Sequence, residues 1–318
     1  MISIIIPVHN IASYIDKCLQ SILQQTYTEF EIILVNDGSS DDSYNKCIVF
    51  KEKNPLLDIF IINKQQNEGV TAARRDGVKK AKGKWITFVD GDDTLPSDAL
   101  ENLIMYMHSD VSIVLGAHNL EFDDNTCTSF LNKKTGKFNY AEYIKMLLTN
   151  DVQNAPWAKL FRKEVFNEYV FDLPKEIKSQ EDFIMNIRIA VTQKNNVVVI
   201  AKSVYNYKYH REGSAITLYR QKLDVDYVIK ILNYLSSAFI DNNMHEYNKE
   251  IATRYLNSIW YLRKKMNDLT KEQAKYFKSK FKFILCNTTN LKKTTKLIVL
   301  YLLLFAGLLK NKKILINL

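Results

Sequence analysis

The sequence is poor in the residues and spacings that announce several common functions. Its four cysteines, Cys18, Cys47, Cys127 and Cys286, are scattered and form no Cys-x-x-Cys pair. That excludes a cysteine zinc site and a disulfide framework, and fits a reducing compartment. Nine glycines serve 318 residues, and none precedes Gly38, so the Gly-x-Gly-x-x-Gly turn of a dinucleotide fold is absent after the first strand. The nearest approach to a P-loop, Gly77 to Lys84, has one residue too many between its glycines. It continues into Trp85 where Ser or Thr belongs, and it precedes a strand instead of following one. Long apolar runs are missing as well. The longest uncharged apolar stretch, Leu297–Leu309, falls short of the roughly 17–20 residues a spanning helix needs. Met1–Pro7 has no basic flank and no small-residue cleavage site, so it reads as a first strand and not as a signal peptide.

What is present is a globular composition, 47% hydrophobic and 25% charged, on a chain long enough for a full core. The net charge of +9 is uneven. Residues 271–318 hold eleven lysines, no arginine and the single acid Glu272, leaving about −1 for the rest. Without arginine or an interleaved reading motif, this tail is a poor nucleic-acid surface.

Strand-like and helix-like segments alternate over the first 95 residues. Ile2–Val8 is an almost unbroken apolar run, as in a parallel strand buried on both faces. A helix follows, with Ile15, Cys18, Leu19, Ile22 and Leu23 on one face. Phe30–Val35, Ile59–Asn63 and Trp85–Val89 are the next strands, with helices to about Lys53 and from about Thr71 to Ala81. This β-α-β-α-β-α-β order predicts a mostly parallel, Rossmann-like sheet flanked by helices. In such sheets ligands bind at the carboxyl ends of the strands. Four polar segments fall there: His9-Asn10, Asp37-Gly38-Ser39, Asn67-Glu68-Gly69 and Asp90-Gly91-Asp92-Asp93. Topology gathers them at one edge, which points to a single nucleotide-sized site. Three acids within four residues repel one another unless a cation joins them or they face solvent. A divalent metal carrying a phosphate-bearing ligand suits the cluster, and Arg74 or Arg75 is placed to meet a diphosphate.

Ser3-Ile4-Ile5-Ile6-Pro7-Val8-His9-Asn10, Val35-Asn36-Asp37-Gly38-Ser39, Asn67-Glu68-Gly69-Val70-Thr71-Ala72-Ala73-Arg74 and Phe88-Val89-Asp90-Gly91-Asp92-Asp93 resemble, in order and spacing, the motifs of family 2 glycosyltransferases with the GT-A fold. The match covers residues 1 to about 95, with weaker matches to about 217. The resemblance implies an inverting transferase that uses a nucleotide-sugar, with UDP the expected nucleotide, and Mn²⁺ or Mg²⁺. It implies donor contacts from Pro7, His9, Asp37 (the base), Asn67, Arg74 (sugar or phosphate), Asp90 (the ribose) and Arg211 (the diphosphate). Asp92 and His210 are the implied metal ligands. Arg75 stands where the family usually has asparagine. Ser179-Gln180-Glu181-Asp182-Phe183 resembles the family's Glu-Asp motif, which makes Asp182 the general base and Glu181 an orienting acid.

Beyond residue 95, Leu100, Leu103, Ile104 and Met107 mark a helix and Val111–Leu115 a strand. Asp123-Asp124-Asn125 marks a hairpin tip, and Val197–Ala201 and Val204–Tyr209 read as two closing strands. Trp157, in Asn154–Arg162, either stacks on an acceptor sugar or packs beneath the site. From about Gln221 the pattern is helical: 221–240, 246–267, 271–285 and 291–309. We therefore expect a GT-A domain over 1–217 (a nucleotide-binding half, 1–95, and an acceptor half, 96–217) and a helical C-terminal extension over 218–318. The lysines flanking 297–309 suggest a helix lying in an anionic membrane surface, with a core or dimer helix as the alternative. The expected enzyme is cytoplasmic and peripheral on the inner face of the membrane. It passes a sugar to a glycan or a polyprenyl-pyrophosphate-linked acceptor in cell-surface polysaccharide synthesis. A polyprenyl-phosphate glycosyltransferase and a non-catalytic nucleotide-sugar-binding scaffold are the alternatives.

Overall fold

The N-terminal apolar run becomes the centre of a sheet. In the computed structural model, which describes residues 1–122, 126–209, 224–262 and 269–288, Ile2–Val8 forms β1. Ile2, Ile4, Ile5, Ile6 and Val8 have no exposed surface. Both faces of β1 are covered, which is why no polar alternation interrupts it. β1 pairs in parallel with β2 (Phe30–Asp37), Ile4 opposite Ile32, and with β4 (Trp85–Phe88), Ile4 opposite Thr87. β3 (Ile59–Lys64) extends the parallel set on the far side of β2. The crossovers are α1 (Ile15–Leu23), α2 (Ser43–Lys53) and α3 (Val70–Lys80).

Among the described residues the sheet has nine strands, in the order β3-β2-β1-β4-β8-β5-β9-β7, with β6 beside β5. β8 (Lys159–Arg162) inserts antiparallel between β4 and β5 (Val111–Glu121). β9 (Asn196–Lys208) runs parallel to β5, and β6 (Cys127–Phe130) and β7 (Gly136–Phe138) are antiparallel edges. The two closing strands expected at 197–209 are this one continuous β9. The polar Lys202-Ser203 does not end it; the break is absorbed as register shifts against β5 between Leu115 and Asn119. Gly116 sits in that irregularity, where a Cβ would stand 2.4 Å from Val204 Cγ2. β5 likewise runs six residues past the expected Leu115. The expected hairpin tip at Asp123-Asp124-Asn125 lies outside the described residues.

The edge opposite the strand ends is closed by Glu31, buried in β2. Its Oε1 accepts from Ser3 Oγ at 2.5 Å, Lys82 N at 2.5 Å and Gly83 N at 3.1 Å, fixing the turn between α3 and β4. The remaining α-helices among the described residues of this part are α4 (Ala99–Ile104), α5 (Tyr140–Thr149), α6 (Glu168–Phe171) and α7 (Glu181–Thr192). α5 opens with a capping box between Asn139 and Glu142.

The chain divides into two compact units, Met1–Tyr219 and Arg220–Leu318. The described part of the second is helical: α8 (Val225–Ile240), α9 (Asn248–Leu262) and α10 (Lys271–Asn287). Asp224 caps α8 by accepting from Tyr227 N, so that helix begins later than the pattern at 221 suggested. α10 buries Phe277, Phe281 and Ile284. The expected helix at 291–309 lies outside the described residues, and among those described no helix is long and apolar enough to cross a membrane.

Candidate active site

The four strand-end segments do converge. After β1, His9 Nδ1 lies 2.9 Å from the Asp37 carbonyl oxygen. A carbonyl only accepts, so His9 donates from Nδ1, and its Nε2 accepts from Asn67 Nδ2 at 2.9 Å. One imidazole thus ties the ends of β1, β2 and β3. Asn10 adds a second tie, its Oδ1 accepting from Ser40 N at 2.8 Å. Gly38 permits the close approach. It has φ +65°, and a Cβ there would meet Asn67 N and the Gln66 carbonyl carbon at 2.6 Å. Pro7 sits partly exposed near the end of β1.

The Asp37 carboxylate is buried and already well used. Oδ1 accepts from Glu68 N at 3.0 Å and pairs with Lys64 Nζ at 3.0 Å, while Oδ2 accepts from Gly69 N at 2.8 Å. Two oxygens offer about four lone-pair positions, so one on Oδ2 remains for a further donor. Lys64 also pairs with Glu68 at 2.8 Å and Asp76 at 3.4 Å, and these acids hold its pKa above the ordinary value against the opposing effect of burial.

The acids after β4 separate into different environments. Asp90 Oδ1 accepts from Arg74 at 3.0 Å. The Asp90 amide donates to the Tyr205 hydroxyl at 3.0 Å, and that hydroxyl donates to Asp93 Oδ2 at 2.7 Å. Asp93 Oδ1 accepts from Lys208 N at 2.8 Å. Burial, then the charges of Asp92 and Asp90, raise the Asp93 pKa well above the carboxylate range. The mutual repulsion of the cluster is therefore relieved by one arginine, one tyrosine and a reluctance of Asp93 to ionise. Asp92 is half-buried.

Arg74, 2% exposed on α3, spans the site. One terminal nitrogen bonds Asp90, and the other donates to Asp182 Oδ1 at 2.6 Å. Its guanidinium also lies 5.9 Å from the Phe88 ring centroid. The two residues it joins are 92 positions apart in the chain, yet both are side chains the sequence nominated. Asp182 stands in the first turn of α7. Burial raises its pKa, opposed by Arg74 and reinforced by Asp90. Glu181 is pushed up by burial and by the Asp182 charge. Arg75, in contrast, turns to Asp76 at 2.9 Å and is a third exposed, so it belongs to the surface.

Residues 3–170 match the profile of Glycosyl transferase family 2. This chain is a family 2 glycosyltransferase. EpsH of Bacillus subtilis (strain 168) is 29% identical over 258 residues, 79% of this chain and 73% of EpsH. GgaB of the same organism, a minor teichoic acid biosynthesis protein, is 27% identical over 223 residues, 67% of this chain but 23% of GgaB. The crystal structure of S. aureus TarS 1–349 in complex with UDP-GlcNAc matches at TM-score 0.68 and 20% identity, over 90% of this chain and 81% of that one. That likeness establishes the shared GT-A fold.

Other nominated residues of the glycosyltransferase fall differently. Trp157 is 5% exposed, stacked on Tyr205 (centroids 4.6 Å, planes 7° apart) and on Tyr207 (5.5 Å, 18°). It packs beneath the site and does not offer a face to a sugar. His210 and Arg211 lie outside the described residues. Among those described, no three His, Cys, Asp or Glu stand close enough to cage a metal. A nucleotide-borne Mg²⁺ or Mn²⁺ needs no such cage, since one or two carboxylates and the phosphate oxygens suffice. The hard carboxylate oxygens of Asp92 fit that requirement.

Two residues near the site were not singled out from the sequence. Lys64 stands in register with Asp37 across β3 and β2; extending strand three by one residue would have placed it there. Lys159 is a fully buried lysine within an otherwise apolar stretch, an oddity legible in Trp157–Phe161.

Proposed function

We propose that this glycosyltransferase is a metal-dependent, inverting enzyme that takes a sugar from a UDP-sugar and delivers it to a glycan or lipid-linked glycan acceptor in cell-surface polysaccharide synthesis. The observation that carries this reading is the junction made by Arg74. It joins an acid at the end of β4 to an acid at the start of α7, so the ribose ligand and the base of this reading share one guanidinium.

The roles we assign rest on the family resemblance, and the arrangement of the described residues supports them. His9, Asn67 and Pro7 contact the donor, and the remaining lone pair on Asp37 Oδ2 accepts a ring N–H such as uracil carries. Asp90 takes the ribose hydroxyls. Asp92, with His210, would hold Mn²⁺ or Mg²⁺, and the ion would offset charge on the departing diphosphate. Arg211 adds a cation on the diphosphate side. At the other end Asp182 accepts the proton of the acceptor hydroxyl as its oxygen attacks the anomeric carbon. The bond from that carbon to the diphosphate oxygen breaks with its electron pair, so UDP leaves from the opposite face and the configuration inverts. The likeness to GgaB, a minor teichoic acid biosynthesis protein, supports a place in polysaccharide or teichoic acid synthesis.

The test is release of UDP from a panel of UDP-sugars with Mn²⁺. The expected outcome is slow hydrolysis of one donor, abolished by EDTA and restored by Mn²⁺ or Mg²⁺. Binding of GDP or dTDP donors in place of UDP would overturn the uracil assignment. Turnover unaffected by EDTA would overturn the metal.

We further read the enzyme as cytoplasmic and peripheral on the membrane through its basic tail. Lys271, Lys275, Lys278 and Lys282, spaced four, three and four residues apart, make one exposed stripe on α10 while Phe277, Phe281 and Ile284 are buried. Each lysine near an anionic surface contributes about 1 kcal/mol. Cosedimentation with phosphatidylglycerol vesicles is expected at low salt and lost in ~0.5 M NaCl, where the Debye length drops to a few ångströms. Equal binding to neutral phosphatidylcholine vesicles would count against the electrostatic reading.

A further inference from the structure

Lys159 opens β8 with no exposed surface. Among the described residues its ammonium has no carboxylate in contact. It donates instead to the carbonyl oxygens of Gln153, at 2.7 Å, and Ala155. The carbonyl between them, Asn154 O, accepts from Asn186 Nδ2 at 2.9 Å, and the same Nδ2 donates to the Asp182 carbonyl at 2.8 Å. Three successive carbonyls of the segment before β8 are therefore turned inward onto two buried side chains. The amides of Asn154 and Ala155 are closed by Gln153 Oε1, at 2.7 and 3.3 Å. Asn186 lies one helical turn after Asp182, so this segment is bolted to the turn of α7 that carries the base.

The absence of an ion-pair partner makes Lys159 expensive. Burial alone pulls its pKa down, to about 7, and the one group pulling it back up is Asp182. Conversely, Lys159 lowers the Asp182 pKa from a distance, behind the direct contact with Arg74. A methionine would fill the same space without the desolvation cost, and a glutamine would still donate to a carbonyl. The retained cation requires a reason beyond loop anchoring.

We propose that Lys159 is a positioning residue for sugar transfer: it fixes the Gln153–Ala155 wall against the first turn of α7 and places a buried cation, held only by main-chain carbonyls, beside the turn that carries Asp182. Arg74 is committed to two acids, whereas Lys159 is held by the carbonyls of Gln153 and Ala155, and the Asn154 carbonyl between them is tied through Asn186 to the Asp182 turn. The groups that set the Asp182 titration are then Arg74 and Asp90 across the site, Glu181 beside it and Lys159 behind it. Burial first and the Lys159 charge second hold His118 neutral, at a pKa of about 4. His118 therefore adds no competing charge. This inference rests on the reading of Asp182 as the base.

The test uses the full chain as Lys159→Met and Lys159→Gln, with pH profiles of kcat and the donor KM. Both variants are expected to move the acid limb upward by roughly half a pH unit or more, the scale of a unit charge acting across the protein interior. The donor KM should stay within about twofold, since Lys159 touches no donor contact. A lowered kcat with an unmoved acid limb, or rescue of the limb by Lys159→Gln, would reduce Lys159 to a structural anchor and overturn the proposal. Should both variants fail to fold, the wild type still answers. Carbon-13 labelled lysine is expected to show one resonance titrating near 7, displaced downward in Asp182→Asn, because coupling between two sites is reciprocal. No displacement would overturn the coupling. Failure of the base reading is separately visible, as wild-type turnover in Asp182→Asn.

Discussion

Asp182→Asn is expected to bind UDP and the UDP-sugar with wild-type affinity and to transfer sugar about 10²–10⁴-fold more slowly, the usual contribution of a single positioned base. The amide has nearly the same shape and can still accept from Arg74 through its oxygen, so the fold and the donor side should survive. What is lost is the one oxygen that can take a proton. The pH dependence follows from the environment. Burial raises the Asp182 pKa and the Asp90 charge raises it further, while Arg74 and Lys159 oppose them. A raised pKa means the base becomes protonated at a higher pH than an ordinary aspartate. Activity should therefore fall tenfold per pH unit on an acid limb displaced upward from about 4, the model-peptide value, and the limb should vanish in Asp182→Asn. Measuring kcat against pH for both proteins checks this. Undiminished transfer by Asp182→Asn would return Asp182 to the role of a helix-capping acid.

The parts of this site that could be read in the sequence share one property: they follow from topology. Four strand ends in a parallel sheet must lie on one edge, so the meeting of His9, Asp37, Asn67 and Asp90 needed only the β-α alternation. The same logic succeeded for the strands, whose apolar runs have one possible home. It failed where the partner is set by packing between distant segments. Nothing local tells that Arg74 turns inward while Arg75 turns out, because on a helix neighbouring residues point about 100° apart and the sequence does not mark which direction meets an acid. The partner, Asp182, is 108 residues away. Lys64 was hidden by a one-residue error in the end of a strand. β9 was divided in two because polar residues inside a strand look like a turn, whereas Gly116 on the neighbouring strand lets a bulge absorb them. Trp157 could be read both ways; Tyr205 and Tyr207, about fifty residues later, decide it by stacking on its ring.

Removing the guanidinium of Arg74 is the change with the widest consequences. Arg74→Ala leaves Asp90 and Asp182 facing each other without the cation between them. Breaking a buried pair typically costs about 3–5 kcal/mol. Both acids keep about a quarter of their side-chain surface in water, so solvent screening places the expected loss lower, at about 2–3 kcal/mol. Denaturant titration should show it as a lower midpoint with an unchanged slope. The functional loss should exceed what that instability explains. The Asp182 carboxyl loses its strongest opposing charge and titrates higher, so less of the base is ionised at neutral pH, and Asp90 loses the group that orients it. Arg74→Lys separates the two effects. A lysine keeps a positive charge but is a single point donor on a shorter reach, and cannot bond two carboxylates on opposite sides as the planar guanidinium does. Its stability should recover toward wild type while kcat remains low, with the acid limb between those of wild type and Arg74→Ala. If Arg74→Lys restored both stability and turnover, charge alone would be the requirement. The bridge between the ends of β4 and α7 would then be incidental. If it restores stability alone, the bridge itself is what places the base against the donor.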